Sequence, residues 1–214
     1  MLALTITTLF LLSSASPTLG KRKITPVPVL DVDGKPLQAV DEYYVIPAED
    51  AGMAGGIGLG KLKTTCEINV AEDFTPEGIK TNGISVRFFP ANSNDTVVSL
   101  SSDVNVVLSW KKSVCGKSPV WKLGGYETTS GKWFVVVGGE VGFPSTSTLS
   151  NWFKIGKFDD DEKTERYKFF YCPHICKYCK VVCGDIGVVG NDGLKRLLGI
   201  SHVPATFVFK RKKI

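Results

Sequence analysis

The chain has 214 residues, 43% of them apolar and 22% charged, which suits a globular protein of one domain or two small ones with a buried core. Its net charge of +5 supports weak attraction to acidic surfaces or cell-wall polyanions and falls well short of a nucleic-acid binder. No stretch reaches the ~20 consecutive apolar residues that a membrane span needs.

Taken in chain order, residues 1–20 come first and carry no charged side chain. An apolar run from Leu2 to Leu12 is followed by small residues from Ser13 to Ser16. This is the pattern of a secretory signal peptide, with cleavage expected between Ala15 and Gly20, although only the free amino terminus supplies positive charge. Residues 21–214 are then the mature domain. Within it, β-branched and aromatic enrichment or alternation predicts strands over 43–46, 84–89, 96–100, 104–110, 133–137, 151–158, 167–172 and 206–210. The glycine-rich stretch 55–60 reads as a loop, and the one helix candidate, 192–198, is short enough to read as a turn. Many short strands at regular spacing predict an all-β sandwich or a closed barrel. Composition leaves the two open, although a barrel removes exposed strand edges. Trp110, Trp133 and Trp152, each beside a strand-like run, hint at a threefold repeat.

Six cysteines stand at Cys66, Cys115, Cys172, Cys176, Cys179 and Cys183. An even count behind a secretory signal predicts three disulfides formed in an oxidising compartment, and six cysteines allow fifteen pairings. Cys176-Lys177-Tyr178-Cys179, with His174 nearby, has the spacing of a redox pair or half a zinc site in a reducing compartment. Secretion favours structural disulfides instead. The two histidines are His174 and His202, and no G-x-S-x-G, H-E-x-x-H or phosphate-loop motif accompanies them. The chain is therefore not expected to be an enzyme or to hold a metal or cofactor. Asp159-Asp160-Asp161-Glu162 lacks EF-hand spacing and reads as a solvated acidic loop, and Lys210-Arg211-Lys212-Lys213 as a solvated tail.

Val29-Leu30-Asp31-Val32-Asp33-Gly34-Lys35-Pro36-Leu37, then five residues, then Tyr43-Tyr44-Val45, resembles the N-terminal signature of the plant Kunitz inhibitors of the soybean trypsin inhibitor type. Physically it is a turn at Asp33-Gly34 leading into a strand. Phe170-Tyr171-Cys172-Pro173, Cys183-Gly184-Asp185-Ile186-Gly187 and the apolar end 205–209 resemble the family's C-terminal segment. The resemblance spans nearly the whole mature chain. It implies a single-domain, monomeric β-trefoil of twelve strands in three pseudo-repeats. The cysteine cluster is similar to the miraculin-like branch, which implies Cys66–Cys115, Cys172–Cys183 and Cys176–Cys179. Closing the first loop, of roughly 50 residues, contributes about 4 kcal/mol in the chain-entropy picture.

Inhibitors of this family insert one exposed loop, following the first cysteine, into a protease cleft in substrate-like form. A rigid loop loses little entropy on binding. Counted from the flanking strands, that reactive loop is Pro90, Ala91, Asn92, Ser93, Asn94, Asp95, Thr96 and Val97. A trypsin inhibitor needs Lys or Arg at the loop centre. None is present: Arg87 lies in the preceding strand, and Ala39 stands where family inhibitors often carry a loop-supporting asparagine. The resemblance thus implies a secreted, apoplastic inhibitor-like protein whose partner is an extracellular protease other than trypsin. The serine class comes first, with carboxypeptidases and cysteine proteases as other candidates. The alternative is a non-inhibitory binding or storage protein, since fold alone does not set function. Asn94-Asp95-Thr96 is a glycosylation sequon, and a glycan at Asn94 would obstruct insertion. Ricin-type lectin sites resemble repeated Gln-x-Trp, and the single glutamine, Gln38, does not form one.

Overall fold

The computed structural model of the chain describes residues 25–48, 54–61, 66–74, 81–110, 115–159, 165–193 and 195–213. The signal peptide expected over 1–20 and acidic residues 160–162 lie outside this set. Strands form where apolar side chains recur every second residue, because successive side chains of a strand point to opposite faces. In Tyr167–Tyr171 the residues Tyr167, Phe169 and Tyr171 are buried while Lys168 and Phe170 are only partly so. Among the described residues twelve strands follow in order, some with this alternation and some without it: β1 Tyr43–Pro47, β2 Ala54–Gly60, β3 Asn69–Phe74, β4 Val86–Pro90, β5 Val104–Leu108, β6 Trp121–Glu127, β7 Lys132–Val137, β8 Lys154–Lys157, β9 Tyr167–Tyr171, β10 Gly184–Asn191, β11 Lys195–Ser201 and β12 Phe207–Arg211. A 3₁₀ segment, Thr146–Asn151, precedes β8.

The pairing is that of a β-trefoil with a threefold plan. Strands β1, β4, β5, β8, β9 and β12 close a barrel: β12 pairs β1, β1 pairs β4, β4 pairs β5, β8 pairs β9 and β9 pairs β12. A bridge between Val104 and Phe153, just before β8, completes the ring. The hairpins β2–β3, β6–β7 and β10–β11 cap one end. They touch one another through Asn69 opposite Val136, Phe134 opposite Gly199, and Leu197 opposite Ala71. The cap has its own small apolar cluster of Ala71, Phe134, Val136 and Leu197, which draws on all three hairpins.

The barrel interior is filled with rings. Phe169 lies against Phe88, Trp121, Phe207 and Phe209. Two buried tyrosines need partners for their hydroxyls, and the N-terminal segment supplies them: Gln38 N–H donates to Tyr43 Oη and Leu30 N–H to Tyr167 Oη, each at 2.9 Å. That segment turns where Asp31 Oδ1 accepts from the N–H groups of Asp33 and Lys35, with Gly34 at φ +72°. It is thereby laid across the barrel as a fixed rail.

Outside the β4–β5 connection, three sequence expectations change. Residues 55–60 are strand β2 rather than a loop: the glycines are there for close packing, since a Cβ on Gly56 would collide with the Asn82 carbonyl and one on Gly58 with the Asp73 carboxylate. In 192–198 only Asp192-Gly193 turns, and the chain from Lys195 is strand β11. The expected strand over 151–158 is confined to β8, because Thr148 side-chain bonds to the Phe143 and Ser145 carbonyls support a 3₁₀ segment just before it.

The basic tail is partly neutralised. Arg211 pairs with Asp41, and the Lys212 ammonium lies 2.6 Å from Glu42, which also accepts from Ser85 Oγ at 2.7 Å. These bonds, that from Lys212 first and that from Ser85 second, hold the Glu42 carboxyl below its ordinary value of 4.5. A lowered carboxyl pKa stabilises the fold above about pH 4.5, and that contribution disappears as pH falls through the folded-state value. Lys212→Ala is therefore expected to lower the thermal midpoint at neutral pH, with the deficit shrinking as pH falls through the lowered folded-state value. Melting curves across that range check it.

Candidate functional site

The exposed loop that joins β4 to β5 is the candidate site. The two strands pair from Val86 opposite Leu108 to Pro90 opposite Val104, so Pro90 belongs to β4 and the loop proper starts at Ala91. Ala91 N–H donates to the Asp103 carbonyl at 2.8 Å and closes the base. Asn92, Ser93, Asn94, Asp95 and Thr96 are exposed, while Val97 is half-buried. The tip braces itself. Asp95 N–H donates to the Asn92 carbonyl at 3.0 Å, Asn92 Nδ2 donates to Asp95 Oδ1 at 2.7 Å, and Asn92 Oδ1 accepts from Asn94 N–H at 3.3 Å. The sequon residues Asn94, Asp95 and Thr96 all lie on this tip.

The returning arm runs along the N-terminal rail. Ala39 N–H donates to the Thr96 carbonyl and Val98 N–H to the Leu37 carbonyl, at 2.8 and 2.9 Å. Bridges join Gln38 to Val97 and Pro28 to Ser99. The strand expected over 96–100 is thus not a member of the barrel but the clamped arm of the loop. At Ala39, where family inhibitors often carry a loop-supporting asparagine, the backbone N–H holds the returning arm, and Asn92 braces the tip with its side chain. Arg87 sits in β4, opposite Val107.

Beneath the loop lies a buried ion pair that sequence patterning does not reveal. Lys154 Nζ lies 2.9 Å from Asp103 Oδ1, the side chains 2% and 9% exposed, and donates to the Ser101 carbonyl at 2.8 Å. Asp103 also accepts from His174 N–H, at 3.0 Å to Oδ2. Two residues on, buried Asn105 accepts from Gly142 N–H at 2.7 Å and donates to the Asn151 carbonyl at 3.0 Å. The stem of β5 therefore fixes the candidate loop and two neighbouring loops together. A paired, hydrogen-bonded charge is the form in which a lysine can be this deeply buried.

Disulfides join Cys66 to Cys115, Cys172 to Cys183 and Cys176 to Cys179. The C-x-x-C cysteines are bonded to each other, so neither is a free thiolate for a metal or for redox exchange. Of the two histidines, His174 has its backbone at Asp103, while His202 lies exposed just after β11. Asp159 pairs with Arg166 at 2.8 Å.

A closed trefoil with a self-braced, doubly clamped exposed loop is a loop-presenting scaffold. The family model described as trypsin and protease inhibitor, of the legume Kunitz type, matches residues 29–211, and the chain belongs to this family. It is similar to Kunitz trypsin inhibitor 5 of Arabidopsis thaliana, 37% identical over 86% of this chain and 85% of that one. Miraculin of Synsepalum dulcificum is 33% identical over 94% and 90% of the two chains. Among solved structures, a Kunitz-type cysteine protease inhibitor from potato superposes with a TM-score of 0.73 at 31% identity, over 89% of this chain and all of that one.

Proposed function

We propose that the mature chain is a secreted, non-catalytic, inhibitor-like protein that binds an extracellular protease other than trypsin through the loop 90–97. The observation that carries this reading is the preorganised tip. Asn92 to Thr96 are exposed, yet the segment is hydrogen-bonded within itself and held at both ends, so docking orders little that was free. Its side chains are small or polar, which suits a pocket of that character, as in elastase-like serine proteases. Carboxypeptidases and cysteine proteases are the further target classes. Membership of an inhibitor family supports the reading.

Inhibition constants measured against trypsin, elastase, subtilisin, papain and a carboxypeptidase test it. Trypsin inhibition is expected to be weak or absent; a nanomolar constant against trypsin overturns that expectation. The accessible sequon favours a second reading, a non-inhibitory binding or storage protein with a glycan at Asn94 over the loop. Pull-down from extracellular fluid separates the two. A captured protease lost when 91–96 is replaced supports the first, and a partner indifferent to that replacement supports the second.

A further inference from the structure

Two aromatic side chains stand out from the surface beside the candidate loop: Tyr178 is 96% exposed and Phe143 82% exposed. Each sits on a loop tied to the stem of β5. Residues Asp103 and Asn105 are two apart at its start, so their side chains leave the same face about 7 Å from each other. Asp103 holds the backbone of His174, and Asn105 holds that of Gly142, the residue before Phe143. Asp103 is also the residue whose carbonyl closes the candidate loop against Ala91.

The backbone that carries each ring is constrained. Tyr178 lies inside two nested disulfides, Cys172–Cys183 and Cys176–Cys179. Phe143 has φ +52°, an unfavourable conformation for a bulky residue, and its carbonyl is held by buried Thr148 through a 2.7 Å bond. Exposing a large ring on a constrained backbone gains nothing for folding. It does present apolar area for binding at little entropic cost, as interface hot spots do. Exposed Lys177 and Lys180 flank Tyr178.

We propose that Phe143 and Tyr178 form a secondary contact surface for the protease that docks on loop 90–97. This rests on the loop reading above. Tyr178 is four residues from His174 and so at most ~14 Å away along the chain. A standard interface covers about 800 Å² per partner, a patch roughly 30 Å across, which is the scale on which the shared anchoring at Asp103 and Asn105 groups the rings with the loop. The partner's rim is expected to offer apolar recesses to the rings and acidic side chains to Lys177 and Lys180.

The test uses the full mature chain with elastase and subtilisin as probes. Dissociation rates are measured for the parent, Phe143→Ala, Tyr178→Ala, the double variant, and a chain whose residues 92–96 are replaced by a glycine-serine segment. Each aromatic variant is expected to melt like the parent and to dissociate at least about fivefold faster, and the loop replacement to abolish binding. Parent-like dissociation in the double variant, with binding still lost on loop replacement, overturns the secondary surface alone. Binding that survives loop replacement but fails in the double variant overturns the loop reading and leaves the rings as the site. A parent that binds neither probe overturns both.

Discussion

Replacing Lys154 with alanine is expected to cost about 3–5 kcal/mol, because it strands the buried carboxylate of Asp103. For a domain of this size that lowers the thermal midpoint by roughly 6–20 °C. The loss has two parts. Asp103 keeps the His174 N–H as a partner but loses its counter-charge, and the Ser101 carbonyl loses the Lys154 ammonium. Both acceptors lie on the arm that returns from the loop, so amide exchange over 91–103 should accelerate beyond what the global loss explains. Lys154→Met combined with Asp103→Leu should recover most of the stability, since a matched apolar pair removes both charges at once. A midpoint within about 2 °C of the parent in Lys154→Ala would show that the pair does not hold the stem.

How much of this was legible in the sequence follows from the physics of each element. Strands β1, β4, β9 and β12 place large apolar side chains at every second residue and were found from that alternation. Strand β2 was read as a loop because its glycines are selected for close backbone packing in the cap, a requirement that leaves no hydrophobic pattern. Lys154 gave no signal because Trp152, Phe153, Lys154 and Ile155 are all buried, so the alternation that would mark it as inward or outward is missing. Its partner Asp103 is remote in the chain, and only closure of the barrel brings the two together. The trefoil itself was reached through family motifs, while composition had left sandwich and barrel open. The exposed segment after 84–89 was marked by that strand, whereas the strand expected on its far side, 96–100, is an arm held by isolated bridges that alternation cannot tell from a barrel strand. The loop's internal bonds were not foreseen, since they depend on the turn that Asn92 and Asp95 make together.

Those bonds bear on the second large expected effect. If the loop is held in a form that a protease accepts, its specificity should follow the side chain at its tip. Ser93 and Asn94 are exposed and lie between the braced residues Asn92 and Asp95. A lysine placed there would meet the acidic base of the trypsin pocket without disturbing the clamp on Thr96 and Val98. A desolvated charge pair at the centre of an interface contributes about 2–4 kcal/mol, or roughly 30- to 1,000-fold in affinity. The most direct measurement is therefore the trypsin inhibition constant of Ser93→Lys and of Asn94→Lys, the first on protein freed of N-glycan and the second lacking the sequon altogether. A gain of at least about 30-fold over the parent in one of them is the result expected of a substrate-like reactive loop. No gain in either variant, with both folded as the parent is, would contradict it.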